Sequence, residues 1–198
     1  MSNKIIKKTR PIKLPLELSN NKIEMFNLYY FEFEKGRYIV LTKGDISGKD
    51  DVLLRIESAC IFGHIFGSVK CDCSFQLKES MKLISESGKG ILIYAVDEDA
   101  LGLGTEKHFK IYELRQHEKM DIKEIYEKVG VKDKRDYSPI IEILSDFNIK
   151  SVKLLTNNKK RVKFLRDGGI EVKRIPLKAE LSEYNKGYLT KKYSKELI

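Results

Sequence analysis

Apolar positions along the chain fall into two rhythms, and the order in which those rhythms alternate sets the architecture. Lys22 to Phe33 (KIEMFNLYYFEF) and Tyr38 to Thr42 carry β-branched and aromatic residues in short runs, which read as strands, with Lys35-Gly36 turning the first into the second. A polar loop from Lys43-Gly44-Asp45 through Gly48-Lys49-Asp50 precedes a third strand, Val52 to Ile56. That strand delivers Arg55 and Cys60 to its carboxyl side, where sites collect in sheet proteins. Ser74 is placed to cap a helix whose Leu77, Met81 and Ile84 recur at helical spacing, with Gly88 as its stop. Gly90 to Val96 (GILIYAV) is a continuous apolar run of strand length, suited to a buried sheet position, and an acidic, Gly-containing loop follows from Asp97 to Gly104.

The second half keeps alternating. Lys107 to Lys128 reads as a mostly solvated helical stretch with Ile111, Leu114, Ile122 and Ile125 on its apolar side. Ser138-Pro139 opens a helix as cap and first residue, and Ile140, Leu144 and Phe147 supply its buried stripe. A strand (Ser151 to Leu155), a helix (Lys160 to Asp167), a Gly168-Gly169 stop and a strand (Glu171 to Ile175) complete the pattern. Strands and helices taken in turn imply a parallel or mixed sheet, so the fold class is α/β, a single domain with a mixed β-sheet flanked by helices. Residues 1–10 read as a basic leader, 11–177 as the folded domain, and 178–198 as a Lys- and Tyr-rich tail offered to a partner subunit.

Composition narrows the class. With 198 residues and 41% hydrophobic content, the chain can build a real core. No stretch approaches the roughly 18 to 20 apolar residues of a membrane span, and MSNKIIKKTRPIK lacks the apolar run of a secretory signal, so the expected location is cytoplasmic with no membrane partner. The formal net charge is +9, which attracts polyanions, a nucleoside triphosphate or nucleic acid, or else reflects lysines spread over solvated faces. Nothing supplies the interleaved aromatic and basic residues of a stacking platform, which argues against nucleic acid.

The chemistry concentrates between Cys60 and Leu77, which hold all three cysteines and one of the three histidines, His64. An odd number of crowded thiols argues against a disulfide framework. Three thiolates can fill three corners of a zinc tetrahedron and leave the fourth for water, the pattern of a catalytic site; the competing reading is three buried apolar thiols. The helix expected after Cys73 would add partial positive charge at its start. Gly102-Leu103-Gly104 lacks the third glycine of a dinucleotide fingerprint.

Taken in order, Lys43-Gly44-Asp45, Gly67-Ser68, Cys71-Asp72-Cys73, Phe75-Gln76-Leu77, Asp133-Lys134-Arg135-Asp136-Tyr137, Leu154-Leu155-Thr156-Asn157-Asn158 and Tyr188-Leu189-Thr190-Lys191 form a longer pattern. From about Pro11 onward the chain resembles GTP cyclohydrolase II, the enzyme that opens the imidazole ring of GTP at the start of riboflavin synthesis. The resemblance implies one zinc ion held by Cys60, Cys71 and Cys73, Mg2+ on the nucleotide, release of formate and pyrophosphate, a diamino-ribosylamino-pyrimidinone phosphate as product, and a homodimer. It places Gln76 at the guanine edge, Arg55 on the phosphate side, and Asp133 and Arg135 as a pair in which the carboxylate handles a proton and the arginine works at the α-phosphate. It makes Tyr112 an active-site tyrosine, Thr156 a phosphate or ribose contact, and Arg161 the counterpart of a phosphate lysine.

The chain also departs from that pattern. The family has His-Ser-Glu-Cys where this chain has Glu57-Ser58-Ala59-Cys60, Gly-Asp where it has Gly63-His64, and Arg-Cys-Asp-Cys where it has Lys70-Cys71-Asp72-Cys73. His64 is open to three readings: fourth ligand, proton carrier, or packing residue. After the buried strand the family has Gln-Glu-Gly-Arg followed by Gly-Ile-Gly. This chain has Asp97-Glu98-Asp99-Ala100-Leu101 followed by Gly102-Leu103-Gly104, one residue longer and without the phosphate arginine. Asp97 or Glu98 is left to accept from the guanine N1 and N2 hydrogens, with Glu98 taken as the substrate contact. These changes admit two alternatives, a divergent member acting on GTP or a related purine nucleotide with a different product, and a non-catalytic zinc and purine-nucleotide binder.

Overall fold

The computed structural model describes residues 4–118, 120, 122–130 and 132–196; the side chains of Ile122, Lys123, Lys191 and residues 194–196 also lie outside the description. Its strands are β1 (Lys7–Lys8), β2 (Ile12–Glu17), β3 (Ile23–Phe33), β4 (Gly36–Lys43), β5 (Val52–Ser58), β6 (Gly90–Ala95), β7 (Ser151–Leu155) and β8 (Glu171–Ile175). The helices are α1 (Cys73–Ser87), the single turn α2 (Asp99–Gly102), α3 (Thr105–His117), α4 (Ile122–Val129), α5 (Ser138–Asp146), α6 (Lys159–Asp167) and α7 (Lys186–Glu196). Among the described residues, no helix is long and apolar enough to cross a membrane.

All the strands join one mixed sheet in the order β1-β3-β4-β6-β5-β7-β8, with β2 also on β3. From β1 to β6 the pairings are antiparallel; β6 with β5, β5 with β7 and β7 with β8 are parallel. The carboxyl ends of β5, β6 and β7 therefore open on one edge, the position at which α/β sheets bind ligands.

Period-two alternation divides the strand residues between two cores. On β6, Ile91, Ile93 and Ala95 face one side, where they meet Ile140, Ile143 and Leu144 of α5 and Leu165 of α6. Leu92 and Tyr94 face the other side with Leu77, Met81 and Ile84 of α1. Gly90 lets α1 come this close: a Cβ there would lie 2.8 Å from the Leu53 carbonyl oxygen and 3.0 Å from two Ile84 carbons. On β5, Val52, Leu54 and Ile56 face the α5 side, and Leu53 faces α1. By the same alternation Arg55 and Glu57 share the Leu53 face, so a buried strand ends in two charged side chains beneath α1.

Three readings change. The helix after the cysteines starts at Cys73 rather than after Ser74, with Asp72 at its boundary; that carboxylate makes no cap hydrogen bond because it serves other partners. Ser138 is the first residue of α5, and its amide hydrogen goes to Asp136 Oδ1 at 2.9 Å. The stretch from Lys107 to Lys128 is two helices, α3 and α4, because Ile111, Leu114 and Ile125 bury against one another only when the chain folds back. The tail read as a partner surface also packs on its own chain through α7, with Leu189 fully buried.

Candidate active site

Cys60 lies two residues beyond β5, in extended backbone, and the chain then makes one wide helical turn, Ile61–Ile65, that folds back over the cysteine. Gly63 sits at the centre of that turn. Its amide donates to Cys60 Sγ at 3.4 Å, and a Cβ there would stand 2.9 Å from Cys73 Cβ and 3.3 Å from the sulfurs of Cys60 and Cys71. The three sulfurs lie within 4.8 Å of one another, with Cys60 Sγ and Cys71 Sγ 3.9 Å apart. Zn–S bonds of about 2.3 Å in a tetrahedron set sulfurs about 3.8 Å apart, so the Cys60–Cys71 pair already stands at the separation zinc requires. Hydrogen bonds from Cys60 and Cys73 pull the Cys71 thiol down to about 2. The hydrogen bond to Cys71 pushes Cys60 up to about 12, and hydrogen bonds to both neighbours raise Cys73. Three thiols this close together are a donor set suited to a cation.

A second group touches the first. A donor atom each from Asp99 and His108 lies within 4.8 Å of Cys60 Sγ and of each other. Asp99 meets His108 Nδ1 at 2.8 Å and accepts from Thr105 Oγ1 at 3.0 Å. Burial works to raise the Asp99 carboxyl, but His108 outweighs it and holds it below the usual range. His64, open to three readings, turns away from the thiol trio. Its Nδ1 accepts from the Cys60 amide at 3.2 Å and meets the Tyr94 hydroxyl at 2.9 Å, while Nε2 is buried without a hydrogen bond, 3.9 Å from Glu57 Oε1.

A cavity of about 320 Å³ extends from the cysteines across the carboxyl ends of β5, β6 and β7. Arg55, Gln76, Glu98, Tyr112, Arg135, Thr156 and Arg161 line it with the three cysteines, so these expected residues share one cavity. Asp133 is not part of that lining; its carboxylate grips Arg135 at 2.8 and 2.6 Å. Burial works to raise Asp133, yet the guanidinium holds it below the ordinary carboxylate range.

Two of the arginines that line the cavity are held by several protein partners. Arg55 was placed on the phosphate side, but its guanidinium is 2% exposed and fully engaged: Nε to Glu57 Oε2 at 2.9 Å, Nη1 to the Leu155 carbonyl at 2.9 Å, Nη2 to Gln76 Oε1 at 2.7 Å. Gln76 Nε2 in turn donates to Asp72 at 2.7 Å, and Asp72 is closed off by Lys192 of α7 at 2.7 and 2.9 Å. This line of hydrogen bonds fixes the Gln76 amide and leaves it one N–H and one lone pair to offer. Arg161, expected as a phosphate cation, is spent similarly: Nη1 to the Ile56 carbonyl at 2.7 Å, Nη2 to Ser58 Oγ at 2.9 Å, Nε to the Tyr137 hydroxyl at 3.2 Å. Ser58 passes the orientation on by donating to Glu98 Oε2 at 2.5 Å.

Of the two acids left open, only Glu98 faces the cavity; Asp97 points outward to Arg37 on β4 at 2.5 and 3.0 Å. Burial raises the Glu98 carboxyl above its usual range. Ala100 (φ 49°) and Leu101 (φ 63°) form the next part of the wall in left-handed backbone, anchored where the Lys134 amide donates to the Leu101 carbonyl at 3.0 Å. Sequence reasoning missed Lys192, Tyr188 and Arg115, which also line the cavity. The signal for Lys192 was its place in a Lys- and Tyr-rich tail, and Tyr188 stood in the Tyr188-Leu189-Thr190-Lys191 stretch of the family pattern without a role assigned to it.

Residues 12–176 match a family model described as GTP cyclohydrolase II. The chain is 38% identical over 175 residues to a GTP cyclohydrolase-2 of Actinobacillus succinogenes, covering 86% of this chain and 80% of that one. It is 39% identical over 169 residues to a riboflavin biosynthesis protein RibBA of Bacillus mycoides, covering 84% and 42%. It is 38% identical over 159 residues to a RibBA of Aquifex aeolicus, covering 79% and 39%. Against the two RibBA relatives, the chain therefore spans about two fifths of their length.

Proposed function

Because the chain belongs to the GTP cyclohydrolase II family, a family of hydrolases, we propose that it opens the imidazole ring of GTP at C8, releasing formate and pyrophosphate and leaving a diamino-ribosylamino-pyrimidinone phosphate. The observation that carries this reading is the Cys60–Cys71 sulfur separation of 3.9 Å at one end of a nucleotide-sized cavity. Cys60, Cys71 and Cys73 would hold zinc, which when bound supplies a nucleophile at neutral pH by lowering the pKa of water.

The remaining work falls to side chains. Gln76 and Glu98 read the guanine edge, each aimed by an arginine that does not itself touch the substrate: Arg55 through the Gln76 oxygen, Arg161 through Ser58. Glu98 accepts from the base N1 and N2 hydrogens, and the one free N–H and lone pair of Gln76 pair with a neighbouring acceptor and donor. Arg135, held in a fork by Asp133, meets the α-phosphate as pyrophosphate leaves; the carboxylate fixes its plane and takes up proton density. The Thr156 hydroxyl accepts from the Asn158 amide at 3.1 Å, which leaves its own hydrogen for a phosphate or ribose oxygen. Tyr112 covers the cysteine end, and Mg2+ rides on the triphosphate.

The test is direct. Zinc-loaded protein is incubated with GTP and Mg2+; formate and pyrophosphate are assayed, and the pyrimidine is identified by mass spectrometry. Turnover with one zinc per chain, lost in Cys71→Ser, is expected, and no turnover of any guanine nucleotide refutes the proposal. The Ala100-Leu101 wall favours a second reading, a related purine nucleotide or a differently processed product, because it brings no cation to the cavity. The same mass spectrum separates the two.

A further inference from the structure

The thiol trio is not the only donor set at its end of the cavity. Among the described residues, Cys60, Asp99 and His108 form a second one, with one ligand atom from each lying within 4.8 Å of the other two. Cys60 alone belongs to both sets, so Asp99 and His108 do not fill the open corner of the first tetrahedron. They define a second position that shares its sulfur.

The fold holds this second set in place. Asp99 opens the single turn α2 and is 6% exposed. Its Oδ1 accepts from the amide of Ile61, the residue next to Cys60, at 3.3 Å, and its Oδ2 accepts from Thr105 Oγ1 at 3.0 Å. Thr105 is the first residue of α3 and His108 lies one turn further on, which sets the imidazole against the carboxylate at 2.8 Å. The rings of Phe62 and Tyr112 stand edge-on to His108, with centroids 4.6 and 5.4 Å away, and fix its plane. Ligating carboxylates and imidazoles keep their direction through such outer partners, and here the partners are already present. Cys60 and His108 both line the cavity, so an ion can reach them from solution.

Size and charge both suit a divalent ion. Bonds of about 2.0 Å to nitrogen and oxygen and about 2.3 Å to sulfur set the donors of one tetrahedral ion about 3.3–3.6 Å apart. From the observed positions, the Asp99–His108 pair opens by about half an ångström and Cys60 closes by no more than about 1.2 Å to reach that spacing. Metal-bound cysteines are thiolates, so the two sets together carry four negative charges, three from sulfur and one from Asp99. The nearby Lys192 is already taken by Asp72. One divalent ion neutralises two of the four charges, and a second neutralises the rest. A thiolate sulfur has lone pairs for two metals, and ions bridged through it stand at the separation of two-metal sites, about 3.5–4 Å.

We propose that Cys60, Asp99 and His108 bind a second divalent transition-metal ion, with Cys60 bridging it to the ion of the thiol trio. The bridge, though not the ligand set, rests on the zinc reading given above. Sulfur, nitrogen and oxygen donors together select zinc or cobalt over magnesium and calcium. With one shared thiolate in place of three, the second ion is held more weakly than the first, so purified protein carries one ion and the second enters when metal is added. It displaces the hydrogen between His108 and Asp99, which leaves to solvent as a proton.

The test titrates metal-free protein, without nucleotide, with Co2+ followed by visible absorbance and with Zn2+ followed by calorimetry. Wild type should take up two ions per chain in two steps. His108→Asn should take up one, with the first step unchanged, and His108→Cys, which puts a thiolate in place of the imidazole, should take up two again. Thr105→Val removes an outer hydrogen bond to Asp99 and should weaken the second step about 10–100-fold while leaving the first alone. A single step or none in wild type overturns the proposal, as does a second step that His108→Asn retains. One ion per chain, lost in Cys71→Ser, overturns the second site and leaves the proposed function standing. Two ions per chain, the second lost in His108→Asn, without turnover of any guanine nucleotide, support the second site while the proposed function falls.

Discussion

The most informative single substitution is Gly63→Ala. Gly63 has no positive φ to protect, so an alanine meets no backbone penalty there, and inside a helical turn it gains roughly 1 kcal/mol over glycine. Against this stands the contact: the new Cβ would lie 2.9 Å from Cys73 Cβ and 3.3 Å from two sulfurs. Carbon atoms prefer separations of about 3.5–4.0 Å, so the turn must retreat from the cysteines by about half an ångström. Without metal the three side chains can spread, and the two effects nearly cancel; stability in a chelator should change by less than about 1 kcal/mol. With zinc bound, sulfur positions are set by bonds of about 2.3 Å and cannot spread. Disturbing what orients a ligand typically lowers metal affinity by about 10–100-fold, or about 1.4–2.7 kcal/mol, and that is the expected loss. Competition against a chromogenic chelator measures the affinity, and thermal melting in the same chelator measures the fold. Unchanged zinc affinity would refute the claim that Gly63 cradles a preorganised thiol trio.

Three further outcomes follow from the geometry. Arg161→Lys keeps the charge but cannot serve the Ile56 carbonyl, Ser58 and Tyr137 together, and should lower unfolding free energy in urea by about 2–4 kcal/mol; normal stability with only a raised KM would restore Arg161 to the phosphates. Lys192→Met leaves the fully buried Asp72 carboxylate without its cation and should destabilise by about 1–3 kcal/mol, less than a fully buried pair because the Lys192 side chain is 23% exposed. Glu98→Gln tests burial: with the folded carboxyl raised, Glu98 contributes stability that is present below its ordinary value of 4.5 and lost as pH rises through the folded value. The variant should therefore melt higher than wild type at pH 7, with the gap closing below pH 4.5, and a constant gap across that range would contradict it.

The strands were legible because local rhythm determines them: Ser151 to Leu155 and Glu171 to Ile175 are bounded as their apolar residues suggest. The cysteines were legible because thiols crowded within a few residues have few other uses. The site's second layer was not, because residue type does not reveal how many donors are already taken. Arg55 and Arg161 were read as phosphate cations, and only counting their partners shows that one bonds Gln76 and the other bonds Ser58 beside Glu98. The choice between Asp97 and Glu98 needed the sheet, since neighbouring residues point to opposite sides. The break between α3 and α4 was hidden because one helix and two share a periodicity, and only the mutual burial of Leu114 and Ile125 tells them apart.

The pairing of Asp72 with Lys192 has a consequence for how the protein is made. The two residues lie 120 positions apart, and synthesis proceeds at about 5–20 residues per second, so about 6–24 s separate their appearance. For that interval Asp72 can have Gln76 but not its cation, and the α7 side of the cavity has yet to be covered. Metal capture during synthesis would therefore meet a wider, more exposed trap than the finished protein presents. Closure by α7 would come later than the trap itself, over any ion the cysteines had taken.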